Sequence, residues 1–209
     1  MATTTPNYGW DVPTSTDYVK DGATAIETLG DDIDASLFSI TGGKNVGLVH
    51  LNTTSFTSQT TINFNNIFTS DYHNYVFWFS NMLGSTAADV YMQMRTGTTT
   101  TAGTAYWFNR IYGNYSSGVT GAGSSSTDKW TTGLVVQGSG RTGIEINLFN
   151  PFLSELTSFT SNSLDNRTSG AVGLSLCGGF CNNQTSYDGI TITSNANLTG
   201  TISVFGVRK

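Results

Sequence analysis

Two cysteines four positions apart, in Leu176-Cys177-Gly178-Gly179-Phe180-Cys181, are the residues whose type and spacing first raise the question of chemistry. A closed thiolate metal site takes four ligands, and the two histidines, His50 and His73, stand far off in sequence with no ligand spacing. The pair therefore reads either as a disulfide across a Gly-Gly turn or as two small buried residues flanking that turn. Cleavage of a glycan requires two carboxylates facing one another. Asp71, Asp89, Asp128, Glu145, Glu155, Asp165 and Asp188 occur singly, in no recognisable pair. The run Asp31-Asp32-Ile33-Asp34 falls in a helical pattern that turns its carboxylates onto different faces, so it reads as a solvated surface. Neither histidine is accompanied by a nucleophile-elbow pattern. The expectation is a chain that is not an enzyme, with no catalytic residue, no metal and no cofactor.

The elements that must position these side chains are bounded by composition. A chain of 209 residues suffices for one large all-β domain with its own core. Only 11% of residues are charged, while 37% are hydrophobic, with 12 Phe, 9 Tyr and 4 Trp. That balance excludes a disordered tail and leaves solubility to hydroxyl and amide groups. A net charge of −5, with nine scattered Lys and Arg, argues against a nucleic-acid partner, since phosphate binding depends on clustered cations. No run approaches the ~20 apolar residues of a membrane span, and the first residues lack a basic start followed by an apolar stretch. No membrane insertion is expected, and the chain is expected to be made and used without itself crossing a membrane.

The first forty residues differ from the rest. Thr14-Ser15-Thr16-Asp17 offers candidate N-caps, which places a helix start between Thr16 and Tyr18. Val19, Ile26, Ile33 and Ile40 recur every seventh position, with Leu29 and Leu37 between them, which draws an apolar stripe. Gly22 and Gly30 each weaken such a helix by about 1 kcal/mol relative to alanine, so it needs a partner. That partner is either its own β domain or the same helix of sister chains, for which Val19, Ile26, Leu29 and Ile33 are the candidate oligomerisation residues. Ahead of the helix, proline at both ends of Pro6-Asn7-Tyr8-Gly9-Trp10-Asp11-Val12-Pro13 forbids regular structure. The segment reads as an extended arm in which Tyr8 and Trp10 are anchors that order on docking.

The run TTTPNYGWDVPTSTDYVKDGATAIETLGDDID resembles the opening of many structural proteins of tailed bacteriophages, in particular tail fibres and minor tail or appendage proteins. In those proteins a like pattern precedes unrelated β-rich heads. The resemblance covers about thirty-five residues, through Pro6, Asn7, Tyr8, Gly9, Trp10, Pro13, Asp17 and the Val19 to Ile33 stretch, and a shorter likeness to the last strand of fibre heads lies in GTISVFGVRK. It implies attachment to a virion, with Pro6, Asn7, Tyr8, Trp10 and Pro13 as the docking residues.

From Leu48 onward, β-favouring runs appear every ten to fifteen residues: Ile62–Phe64, Tyr75–Phe79, Val90–Arg95, Ala105–Phe108, Leu134–Gln137, Ile144–Leu148, Val172–Leu176, Ile190–Ile192 and Ile202–Phe205. Many alternate apolar with polar residues, so one face is buried. Gly97 to Gly103 and Ser116 to Asp128 read as long loops. Eight to ten antiparallel strands without an intervening helix predict an all-β fold, an antiparallel β-sandwich of jelly-roll type preceded by the extended N-terminal arm and one short α-helix. The domains are residues 1–40, for attachment, and 41–209, the β-sandwich head.

Loops carry function on such scaffolds, and Tyr112, Tyr115 and Trp130 are the candidate surface-recognition residues. The resulting expectation is a non-enzymatic virion protein, assembled in the host cytoplasm. It would associate with itself as a homotrimer, with other tail, baseplate or capsid proteins, and with a host-surface glycan or protein. The alternative is a capsid decoration protein whose β domain bridges shell subunits; a weaker third reading is a glycan hydrolase.

Overall fold

In the computed structural model, residues 3–16, 18–41, 47–114, 118–166 and 172–208 are described. The chain divides into two compact units, Met1–Val46 and Gly47–Lys209.

The first unit holds β1 (Thr3–Thr4), β2 (Asp11–Val12) and α1 (Val19–Thr41). Its leading segment is not the extended arm expected from the prolines. Thr3 pairs with Val12 and Thr4 with Asp11, closing a small antiparallel hairpin. The Thr5 N–H donates to the Trp10 carbonyl at 2.8 Å, and the Gly9 N–H donates back to the Thr5 carbonyl at 3.0 Å. Gly9 adopts φ +69°, a conformation that side chains disfavour, and this lets the chain reverse before Trp10. Both prolines lie off the paired positions, where their missing N–H groups cost nothing.

The second unit is all-β and antiparallel, and it is a jelly-roll-like sandwich. Its strands are β3 (Leu48–Phe64), β4 (Tyr72–Gly84), β5 (Ala88–Thr96), β6 (Thr99–Thr100), β7 (Tyr106–Asn114), β8 (Gly118–Thr127), β9 (Trp130–Val136), β10 (Thr142–Phe149), β11 (Thr157–Asn166), β12 (Val172–Cys181) and β13 (Gly189–Arg208). The first and last strands, β3 and β13, pair side by side over most of their length. Along its other edge β13 changes partner: Gly189 to Ser194 pair with β5, whereas Leu198 to Arg208 pair with β4. The chain bends between these halves, where the Ser194 hydroxyl donates to the Asp89 carbonyl at 2.9 Å and accepts the Ala196 N–H at 3.2 Å. One long strand thereby carries hydrogen bonding from one layer into the other.

The larger layer continues in the order β13, β4, β10, β11, β12, β7, β8, and the smaller layer is built on β5, with β6 and β9 beside it. β9 lies across the inner face of β11 and β12. Ser161 Oγ donates to the Thr132 carbonyl at 2.7 Å, and the Trp130 indole N–H donates to the Phe180 carbonyl at 3.2 Å. Between the layers sit Phe77, Phe79, Ile146, Leu148 and Phe159 from one side and Val90, Met92, Met94, Leu134 and Ile192 from the other, all in the buried core. The period-two alternation of β5 and β13 arises because each offers one face to this core.

Three segments depart from the expected loops and turns, of which Gly97 to Gly103 holds the two-residue strand β6, paired with the end of β5. The polar stretch read as a loop from Ser116 contains β8, which pairs with β7 along its length. Nearly every β8 residue is exposed, so no alternation marks it as a strand; backbone pairing with β7 holds it, with the Thr127 hydroxyl donating to the Tyr106 carbonyl at its end. The run Leu176 to Cys181 is not a turn but the second half of β12, with Gly178 and Gly179 opposite Asn109 and Phe108.

Candidate functional site

Tyr8 and Trp10 stack at the tip of the N-terminal hairpin, 4.9 Å between ring centroids and 17° from parallel. The indole N–H of Trp10 donates to Ser36 Oγ on α1 at 3.0 Å, which ties the hairpin to its own helix. A groove of about 420 Å³ opens between them, with Gly9, Asp32 and Ser39 also on its walls. Trp10 is half-buried in this contact, whereas Pro6, Asn7, Tyr8 and Pro13 are exposed. The structure thus brings the five proposed docking residues together on one hairpin. Asp17 lies outside the described residues.

The helix buries little of its apolar stripe. Val19 and Ile26 are exposed, at 97% and 63%, as are Leu37 and Phe38 farther along; Leu29 and Ile33 are half-buried. An amphipathic helix this open has not satisfied the hydrophobic surface that its sequence period creates.

Of the expected recognition residues in the β unit, Trp130 is corrected by the structure. It is fully buried, edge-on to Tyr106 at 5.0 Å and against Phe159 at 4.9 Å, with its N–H bonded across the layers. A side chain so placed stabilises the core by about 3–5 kcal/mol and meets no ligand. Its sequence neighbourhood, a polar run of Gly and Ser, concealed that it opens the interior strand β9. Tyr112 is half-buried, with the Arg110 guanidinium 4.5 Å over its ring. Arg110 in turn pairs with Asp89 at 3.0 Å, joining β7 to β5. Tyr115 lies outside the described residues.

Other residues that could do chemistry serve the framework. Both Asp188 oxygens accept the Gly97 N–H at 2.9 Å, closing the β5–β6 turn. Buried Arg95 donates to Asn63, Asn65, Thr100 and Thr191 side chains and to the Thr98 carbonyl, a neutral cage for its charge. His50 Nε2 lies 2.8 Å from Thr53 Oγ1, and its ring meets the edge of Phe205. Cys177 and Cys181 are free and buried. Four residues apart on one strand, their Cα atoms are separated by about 13 Å, beyond the ~7 Å limit for a disulfide. Among the described residues, no group of three or more His, Cys, Asp and Glu is placed to hold a metal ion.

What sequence reading missed is the outer face of β11, β12, β7 and β8. The inward positions of β11 and β12, Phe159, Ser161, Ser163, Ser175 and Cys177, are buried, so the alternate residues face out. Leu164 stands opposite Leu174, and Leu176 lies between Asn162 and Ile111 in register. Leu164, Leu174, Leu176, Ile111 and Val119 are all exposed, from 50% to 79%. Toward the far end of these strands, Trp107 and Phe180 stack at 5.5 Å over a groove of about 680 Å³ floored by Gly178 and Gly179. The signal was present in the sequence: in β12, Leu174 and Leu176 share a face with Phe180 while Ser175 and Cys177 share the other, so the larger apolar side chains point away from the core.

No family model matches this chain, and no curated protein matches it. Among solved structures, it is similar to a leech intramolecular trans-sialidase bound to 2,7-anhydro-Neu5Ac, at 13% identity and a TM-score of 0.29. The similarity covers 79% of this chain and 27% of that one.

Proposed function

We propose that this chain is a non-enzymatic structural protein of a tailed bacteriophage particle, a fibre or appendage fastened by its N-terminal unit and carrying a β-sandwich head. The observation that carries this reading is a 23-residue helix, α1, with Val19, Ile26, Leu37 and Phe38 exposed beside an aromatic hairpin. Surface of this kind gains free energy, at about 25 cal/mol per Å², only when another surface covers it. The resemblance of residues Thr3 to Asp34 to phage attachment segments supports a virion as that surface. In the proposed assembly the chain is a homotrimer held in part by Val19, Ile26, Leu29 and Ile33, and its heads meet a host-surface glycan or protein. Repetition of heads multiplies weak contacts, so modest affinity per head yields durable attachment.

The test is removal of residues up to Pro13, followed by complementation of a phage lacking the intact gene. The shortened chain should be soluble and folded yet absent from purified particles. Incorporation at the normal level would refute the docking role.

A further inference from the structure

We infer that the outer face of β11, β12, β7 and β8 is covered by a second copy of this chain. The inference deepens the self-association proposed above and rests on that part of it, but moves the contact from the helix to the β body.

The face is unlike the surface of a lone domain. Leu164, Leu174, Leu176, Ile111 and Val119 form one patch across four neighbouring strands, and each is at least half exposed. Scattered exposed leucines are ordinary, but a contiguous aliphatic patch in a chain this poor in charge marks a contact surface. The β11–β12 and β12–β7 pairings run without a register shift, so these residues stay neighbours from strand to strand. Four strands about 4.8 Å apart and about ten residues long give roughly 650 Å² in plan. Corrugation by side chains raises the accessible area toward the ~800 Å² that each partner gives to a standard interface.

Charge selects the occupant. The outward positions of these strands between Thr160 and Leu164, Leu174 and Phe180, Trp107 and Gly113, and Val119 and Gly123 carry no ionisable side chain. On the β10 side the first charge met is Glu145, which stands opposite Asn162. An uncharged aliphatic surface is matched by another uncharged surface, and a charged partner would be left desolvated and unpaired against it. This chain provides such a surface itself, on this face and on the same sheet at Trp78 and Phe205, whose rings lie 4.5 Å apart. An aromatic platform for a sugar, Trp107 with Phe180, stands farther along the same face, but Leu164, Leu174, Leu176, Ile111 and Val119 themselves are aliphatic and offer a sugar no hydrogen-bonding group.

The experiment is sedimentation velocity on the full chain over a range of concentrations, comparing wild type with Leu176→Glu, Ile111→Glu, Ile26→Glu and, as a control on exposed β3, Thr57→Glu. The expected result is an oligomeric wild type and control, and for Leu176→Glu and Ile111→Glu a dissociation constant raised by about 100-fold or more. The far-UV circular dichroism signal and its melting temperature should stay native, because Leu176 and Ile111 are exposed and lie outside the buried core. If the glutamate variants lose that signal, Leu176→Ser is read in their place, with a smaller weakening expected. A monomeric wild type overturns the inference and leaves the face to a saccharide or to another virion protein. Dissociation by Ile26→Glu, with Leu176→Glu and Ile111→Glu unchanged, also overturns it while leaving helix-mediated association intact.

Discussion

Cys177 places its thiol 3.4 Å from the Thr131 carbonyl, inside the sandwich and away from solvent. Burial pushes its pKa from 9.0 up to about 12. The Tyr187 hydroxyl, 3.4 Å from Cys181 Sγ, is pushed from 10.0 up to about 12, chiefly by burial, and the buried Tyr106 hydroxyl is raised by the same cause. In each case the folded state prefers the neutral form more strongly than the unfolded chain does. The stabilisation is therefore complete below about pH 9 and is lost as pH climbs toward 12. For Cys177 alone the loss should amount to a few kcal/mol, at about 1.4 kcal/mol per unit. Thermal melting should show a flat midpoint from neutral pH to about pH 8.5 and a steep decline above it, shallower in Cys177→Ala. A midpoint that held constant to about pH 11 would contradict the burial of these groups. Thiol chemistry follows the same logic: of the two readings of the cysteine pair, the structure shows the second, two buried free thiols, on one strand rather than about a turn.

At the scale of elements, α1 is the part most open to improvement. A Cβ added at Gly22 or Gly30 would meet nothing within 4 Å. Both positions are helical, so alanine there removes backbone freedom from the unfolded chain without strain. Each substitution should stabilise the helix by about 0.5–1 kcal/mol, read as a higher melting temperature in the helical band of far-UV circular dichroism. An unchanged or lower melting temperature would mean that the glycines are needed for a close approach by a partner. The strands teach a different lesson. β5 and β13 were legible because Val90, Met92, Met94 and Ile190, Ile192 alternate against the core. β8 was not, because an edge strand exposed on both sides has no reason to alternate. β3 was legible only at its end, around Ile62 and Phe64; its Thr- and Ser-rich start is held by cross-strand pairs such as Thr53 with Ser203, 2.9 Å between their hydroxyl oxygens.

At the scale of the whole molecule, the proposed assembly has a character set by its surfaces. Contact through the Leu174 and Leu176 face would involve no ion pairs. Its dissociation constant should therefore change less than about threefold when sodium chloride is raised from about 0.05 to about 0.5 M, and should tighten in sulfate. Concentration-dependent sedimentation in the three buffers measures this directly. Weakening of tenfold or more in sodium chloride would assign the association to charged groups outside that face.

The sequence by itself determined the all-β class, the single N-terminal helix and most core strands, because the period of the apolar residues is a local consequence of which backbone geometry can bury them. Only the tertiary structure decided which way each apolar residue faces. Trp130 is drawn inward because β9 crosses β11 and β12, whereas Leu174 and Leu176 are turned outward because the small Ser175 and Cys177, which alternate with them, fit beneath that same strand. Hydrophobicity is written residue by residue, but the side of a sheet that meets the core depends on what packs over it, and that is a property of contacts between segments far apart in the chain.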